Sequence, residues 1–264
     1  MSGGLDLAYT AAGAFVAFLV GLTGVGGGSL MAPILIFVGV HPTVAVGTDL
    51  WFAAITKAVG GAVHHRIGTI DWLVVRRLAL GSIPAAIVTL IWLYTANAGR
   101  LESDLLLKLL GIALLLSAAM MVVKPRIQPA LEHLRMRQEA AGGFPRQTVF
   151  TGIGAAMVGA LVTLTSIGAG ALVAVLLTVL YPLRLDTKAI VGTDIVHAVP
   201  LALVAALGHS VLGNVDLWLL ASLLVGSIPG IVVGSLVAGK VNENWVRTAL
   251  AAMLAVAAIK MLAA

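Results

Sequence analysis

The chain has no cysteine, which excludes a disulfide framework, a thiol nucleophile and cysteine-bound metal from the outset. Charge is nearly as scarce. Asp, Glu, Lys and Arg together make up 10% of 264 residues, against about 25% in an ordinary soluble domain, too little to cover a water-facing surface. Acidic residues are the rarer sign, 11 against 16 Lys and Arg, for a net charge of +5 and a pI near 9.9. That balance could suit nucleic acid, but the basic residues sit between hydrophobic runs, where topology rules put them. The start, Met-Ser-Gly-Gly-Leu-Asp, lacks the basic n-region of a secretory signal, so residues 7–22 are read as mature protein.

Apolar sequence is what the chain has instead: 60% hydrophobic residues and a mean hydropathy of +1.09. A spanning helix needs ~20 mostly apolar residues. The sequence offers eight to ten such stretches, which implies an all-α polytopic membrane protein with the lipid bilayer as partner. The runs cover 7–22, 30–40, 43–63, 72–96 and 105–123, then 187–208, 217–238 and 245–263, with a broken run over 148–182. Between 124 and 147 lies a polar, basic stretch (Lys124, Arg126, Arg135, Arg137, Arg146), in which Leu131 to Gln138 could form a short surface helix.

The second half repeats the first. Gly47-Thr48-Asp49 recurs as Gly192-Thr193-Asp194, and Gly81-Ser82-Ile83-Pro84 as Gly226-Ser227-Ile228-Pro229. His64, Gly68 and Asp71 recur as His209, Gly213 and Asp216, all at an offset of 145 residues. Both halves also carry a glycine break, at Gly24-Val25-Gly26-Gly27-Gly28-Ser29 and at Ser166-Ile167-Gly168-Ala169-Gly170. Each glycine costs a helix roughly 1 kcal/mol relative to alanine, so the backbone is expected to unwind there. The expected organisation is a first membrane repeat (1–123), a cytoplasmic linker (124–147) and a second membrane repeat (148–264).

Counting Lys and Arg orients the halves. If each broken segment enters the membrane and turns back, twelve basic residues flank the cytoplasmic side and two the outer side. If each crosses once, the split is nine to five. The first arrangement is better. It inverts the repeats, with broken or re-entrant helices, and leaves both termini periplasmic in a bacterial inner membrane.

Inverted repeats with interrupted helices are the sequence pointer to a transporter site near the bilayer midplane. Unwound backbone is tolerated there only where it is buried or lines a wet cavity, and a helix restarting after a break offers free N–H groups to an anion. Gly26, Gly27, Gly28 and Ser29 from one break, and Ser166, Gly168 and Gly170 from the other, are candidate substrate ligands. The competing reading is that these glycines only allow close helix packing. Thr48 and Thr193 add hydroxyl donors. Asp49 and Asp194 are ionisable groups within apolar runs and so functional candidates, for coupling or for orienting the threonines. With a helix starting at Thr43, Asp49 would lie ~9 Å in, still within reach of water, and could be an interfacial cap. Lys57 follows Asp49 by eight residues, about 80° around a helix. It could meet an anionic substrate or form a buried pair, and its repeat counterpart is Ala202. His197, one turn after Asp194, could relay a proton or be a satisfied core histidine. His64 and His209 are placed at the interface, Asp71 and Asp216 as helix caps, and Pro84, Pro200 and Pro229 as kinks.

On the glycine break with Ser29, Ala45-Val46-Gly47-Thr48-Asp49 and the segment His64 to Trp72, repeated in the second half, the chain resembles the sulfite exporter TauE/SafE family of bacterial membrane proteins. The resemblance covers nearly the whole chain. It implies a transporter moving sulfite or an organosulfonate such as sulfoacetate outward, with the glycine break, Ser29, Thr48 and Thr193 as the residues carried over. Both positions after Gly-Thr are aspartate here, a departure from that pattern that bears on the coupling ion.

The reading is an exporter of a small sulfur-containing anion working by alternating access, not an enzyme, with no cofactor and no metal. A cation- or proton-coupled transporter of another organic anion, and an anion channel, are the alternatives. A homodimer is left open.

Overall fold

A computed structural model of the protein describes residues 6–23, 30–95, 106–123, 146–168, 170–182, 184–238 and 243–263. The first glycine break, including Gly26, Gly27, Gly28 and Ser29, and the linker segment Leu131 to Gln138 lie outside the described residues. All regular structure among the described residues is helical. In order these helices are α1 (Leu7–Thr23), α2 (Met31–Phe37), α3 (Pro42–Arg66), α4 (Trp72–Thr95), α5 (Leu106–Val123), α6 (Gln147–Thr165), α7 (Ala171–Leu180), α8 (Thr187–Val211), α9 (Leu217–Ala238) and α10 (Glu243–Ala263). Five of them (α4, α5, α6, α8 and the 217–234 part of α9) are long and apolar enough to cross a membrane. Their outward faces carry Leu80, Val88, Ile91, Leu207, Ile228 and Val232, all exposed. Such a surface suits hydrocarbon, not water.

Local chemistry sets the boundaries. Pro42 occupies the first turn of α3, where a missing N–H costs little. The Asp71 carboxylate accepts from the N–H groups of Leu73 and Val74, both at 3.1 Å, and Asp216 from Trp218 and Leu219 at 2.9 and 3.0 Å. These two aspartates are therefore the caps of α4 and α9. Pro84, Pro200 and Pro229 lie inside the continuous helices α4, α8 and α9.

The helices of the two halves are interleaved. α1 packs along α9 and α4 along α6, which are repeat-equivalent pairings made across the halves. At the centre α3 lies against α8, its own counterpart. The two run in opposite directions: Gly47 near the start of α3 meets His209 in the last turn of α8 and Asn214 just beyond it, Gly61 meets Val196, and Gly192 near the start of α8 meets His64 and Thr69. The broken segment of the second half folds back on itself. Gln147 at the start of α6 donates to the Leu180 carbonyl at the end of α7, and Thr151 bonds the Tyr181 hydroxyl at 2.8 Å. The turn between α3 and α4 lies at that same end, because Arg77 donates to the Tyr181 hydroxyl and Arg184 to Asp71.

Candidate functional site: a charge cluster buried between the halves

The ionisable groups of α3 and α8 that sequence places in apolar runs come together where the two helices cross. Asp49 and His197 are fully buried, and Lys57 and Asp194 are only 8% and 7% exposed. Lys57 is the hub, in electrostatic contact with Asp194, Asp49 and His197. Neither carboxylate oxygen of Asp49 has a hydrogen-bond partner among the described residues. The Ser166 hydroxyl from the second break and the Ala32 N–H at the start of α2 face this carboxylate from just outside hydrogen-bonding geometry. Asp49 is thus not the water-reaching cap that its position near the start of a run allowed. The start of α2 and the second break lie against it.

The second break is unwound. Ser166 ends α6 in the left-handed region at φ 59° and Gly168 follows at φ 108°. Thr165 holds the turn, its hydroxyl donating to the Leu161 carbonyl at 2.7 Å and accepting from the Ile167 N–H at 3.1 Å. α7 restarts at Ala171 directly after Gly170. Ser166 is 4% exposed, and its Oγ has no hydrogen-bond partner among the described residues.

The recurring Gly-Thr-Asp has a physical meaning that sequence alone did not supply. A Cβ at Gly47 would collide with the Asn214 carbonyl, and one at Gly192 would sit 2.7 Å from the Thr69 hydroxyl. With no side chain in the way, the turn of the opposite half approaches, and the next residue binds it. Thr48 Oγ1 accepts the Asp216 N–H at 3.2 Å, and Thr193 Oγ1 accepts the Asp71 N–H at 3.1 Å. The third residue of each triplet, Asp49 or Asp194, is buried beside Lys57.

Over residues 9–261 the chain matches the family described as Sulfite exporter TauE/SafE. The chain belongs to this family. The probable membrane transporter protein YjnA of Bacillus subtilis (strain 168) is 37% identical over 251 residues, 95% of this chain and 97% of that one. The probable membrane transporter protein YdhB of the same organism is 28% identical over 222 residues, 82% and 84% of the two chains. No solved structure matches. Like its TauE/SafE relatives, the protein is a multi-pass membrane protein of a transporter family.

Among the residues that the TauE/SafE resemblance carries over, Thr48 and Thr193 each use the hydroxyl oxygen to bind the opposite half; the hydroxyl hydrogen is not used in those bonds. The structure adds one residue that the sequence reading passed over. Ser82 of α4 is fully buried and its Oγ lies 2.8 Å from His197 Nε2. The signal was present, since Ser82 belongs to the repeated Gly-Ser-Ile-Pro, but nothing in one dimension aims it at α8. His209, in the last turn of α8, is buried within the protein. It is 4% exposed, with Nε2 donating to the Thr163 carbonyl at 2.9 Å. His64 bonds Thr69 Oγ1 at 2.8 Å and fixes the α3–α4 turn.

Outside the spans, Arg184 and Asp71 form an ion pair across the halves. Burial alone would raise the Asp71 carboxyl, but the Arg184 hydrogen bond and the capping N–H groups outweigh it and hold the group below the usual carboxylate range. The Asp71 carboxylate raises Arg184 in turn.

Proposed function

We propose that this TauE/SafE family protein is a secondary transporter exporting a small sulfur-containing anion, sulfite or an organosulfonate such as sulfoacetate, across a bacterial inner membrane. The observation that carries the reading is Lys57, a mid-helix ammonium buried at the crossing of α3 and α8. An ionisable group at that depth is costly and marks a substrate path by default. Ser166 with Gly168 and Gly170 approaches from the second half. The masking of Asp49 by Ser166 puts the unwound backbone beside the same point. Thr48, Thr193, Gly26, Gly27, Gly28 and Ser29 complete the proposed ligand set, with Asp49, Asp194 and His197 as coupling groups.

Alternating access would come from rocking one half against the other. The antiparallel pairing of α3 with α8, and the return of α6–α7 to its starting end, support inverted repeats. Arg66, Arg76, Arg77, Arg146 and Arg184 gather at the end holding the α3–α4 and α7–α8 turns, which supports a cytoplasmic assignment for that end and periplasmic termini.

A thermal-shift screen of purified protein against sulfite, sulfate, sulfoacetate, taurine, thiosulfate and carboxylic acids tests the substrate class, because a ligand of the folded state raises apparent stability. A shift with sulfite or a sulfonate is expected, and its loss in Lys57→Ala. An unchanged affinity in that variant removes the lysine from the site. Saturable counterflow in liposomes separates a carrier from a channel.

A further inference from the structure

The cluster that would receive an anion is itself negative. With His197 neutral and both aspartates ionised, Lys57 contributes +1 and Asp49 and Asp194 contribute −2, a sum of −1 before any guest arrives. Among the described residues the other charges lie towards the helix ends. α2, α6, α7 and α9 contain no Asp, Glu, Lys, Arg or His, and α1 only Tyr9 as a titratable group. α4 offers Ser82 to His197, while Arg76, Arg77 and Tyr94 lie towards its ends. α5 contributes Lys108 near its start, and α10 has Glu243, Arg247 and Lys260 near its ends. On α3 and α8 the remaining histidines are engaged elsewhere, His64 with Thr69, His65 against the Trp72 ring and His209 with Thr163, and Arg66 and Lys188 stand at the helix ends.

An anion added to this centre would make an already negative, water-excluded site more so, which a low-dielectric interior resists strongly. A cation must come with it. We propose that the cation is a proton, so that each negative charge of the guest enters with one proton taken up by the cluster, Asp49 being the principal acceptor. The protein is then a proton–anion symporter and not an electrogenic uniporter. The inference rests on the anion-transport reading above and names its co-substrate.

The step balances: Asp49 –COO⁻ and H⁺ give –COOH, a monoanion enters, and the interior charge stays at −1. Geometry favours a proton over a metal cation. Sodium or a divalent ion needs several oxygen ligands around it, whereas Asp49 is faced by one hydroxyl, one N–H and an ammonium. Those are hydrogen-bond donors and a charge, and among the described residues no group of three or more His, Asp or Glu is placed to hold a metal ion. Protonated, Asp49 has no charge left to repel the guest, and Lys57 is left paired with Asp194 and free to face the anion. His197 Nδ1, buried and without a hydrogen-bond partner among the described residues, is the second place a proton can rest when a dianion is carried. Ser82 on its Nε2 sets the ring orientation for that role. Export remains possible under this scheme. A high internal anion concentration then carries protons outward with the anion.

The test uses full-length protein in liposomes held at zero potential with potassium and valinomycin, with methanesulfonate, a fixed monoanion, and sulfoacetate as probes. With the outside one pH unit more acidic, methanesulfonate should accumulate up to about tenfold, the proton ratio that one unit represents, and a potential imposed without a pH gradient should drive none. Asp49→Asn should lose the pH-driven accumulation. Uptake that follows the potential and ignores the pH gradient overturns the proposal, as does accumulation driven by a sodium gradient at equal pH. If Asp49→Asn does not fold, proton uptake by the wild-type protein on binding methanesulfonate in weakly buffered detergent decides: one proton per anion supports the proposal and none overturns it. Absence of flux and binding for both probes removes the transport reading, and this inference with it.

Discussion

Gly47 and Gly192 are where a single methyl group matters most. An alanine at Gly47 meets the Asn214 backbone carbonyl, which cannot rotate away as a side-chain tip could, so the α8–α9 turn must move. Gly47→Ala is expected to lower stability by about 1–3 kcal/mol, seen as a fall in the thermal unfolding midpoint in detergent. Gly152→Ala, where a Cβ would meet nothing within 4 Å, should leave the midpoint unchanged or higher, since alanine is the better helix former. Thr48→Val and Thr193→Val each delete one acceptor for a backbone N–H, and each should cost about 1 kcal/mol by the same measurement. The buried charges at this scale were legible in sequence, because Asp49, Lys57 and Asp194 interrupt apolar runs. Ser82 was not, because a serine in a membrane helix is common and its contact lies 115 residues away.

The helix termini depend on side chains that sequence names well. Asp71 and Asp216 cap α4 and α9 alike, but only Asp71 also binds an arginine. The position equivalent to Arg184 at the other end is Gly39, counted at the offset of 145. Asp71→Ala should therefore destabilise more than Asp216→Ala. The common part is about 1 kcal/mol for the cap, and the extra part is under about 1 kcal/mol because the arginine is half exposed. The pH dependence follows from the depressed Asp71 carboxyl. Its contribution is fully present above the unfolded value near 3.8 and is lost as pH falls through the lower folded value. The gap in unfolding midpoint between wild type and Asp71→Asn should hold at neutral pH and close in acid. The spans read from hydropathy, such as 72–96 and 217–238, agree with α4 and α9 to within a residue. α8 runs three residues past its expected end, to Val211, because apolar patterning does not mark where a helix stops near a surface.

The whole molecule is held by pairings between halves: α1 with α9, α4 with α6, and α3 with α8. A cysteine-free chain allows the proposed inversion to be tested with single cysteines at the exposed positions Ile67, just after α3, and Val211, the last residue of the equivalent helix α8. Ile67→Cys is expected to react with a membrane-impermeant maleimide from the cytoplasmic side and Val211→Cys from the periplasmic side. Reaction of both from one side would place the halves in parallel. Sequence by itself determined the membrane class, the helical runs, the duplication and the rare charged residues, because these follow from composition, hydropathy and spacing along the chain. Tertiary structure alone decided that Asp49 is sealed from water, that Lys57 meets Asp194 as well as Asp49, that Thr48 and Thr193 bind the opposite half, and that Ser82 meets His197. Each of those depends on the crossing of α3, α4 and α8, and distances between segments more than a hundred residues apart are set by packing, not by any local pattern.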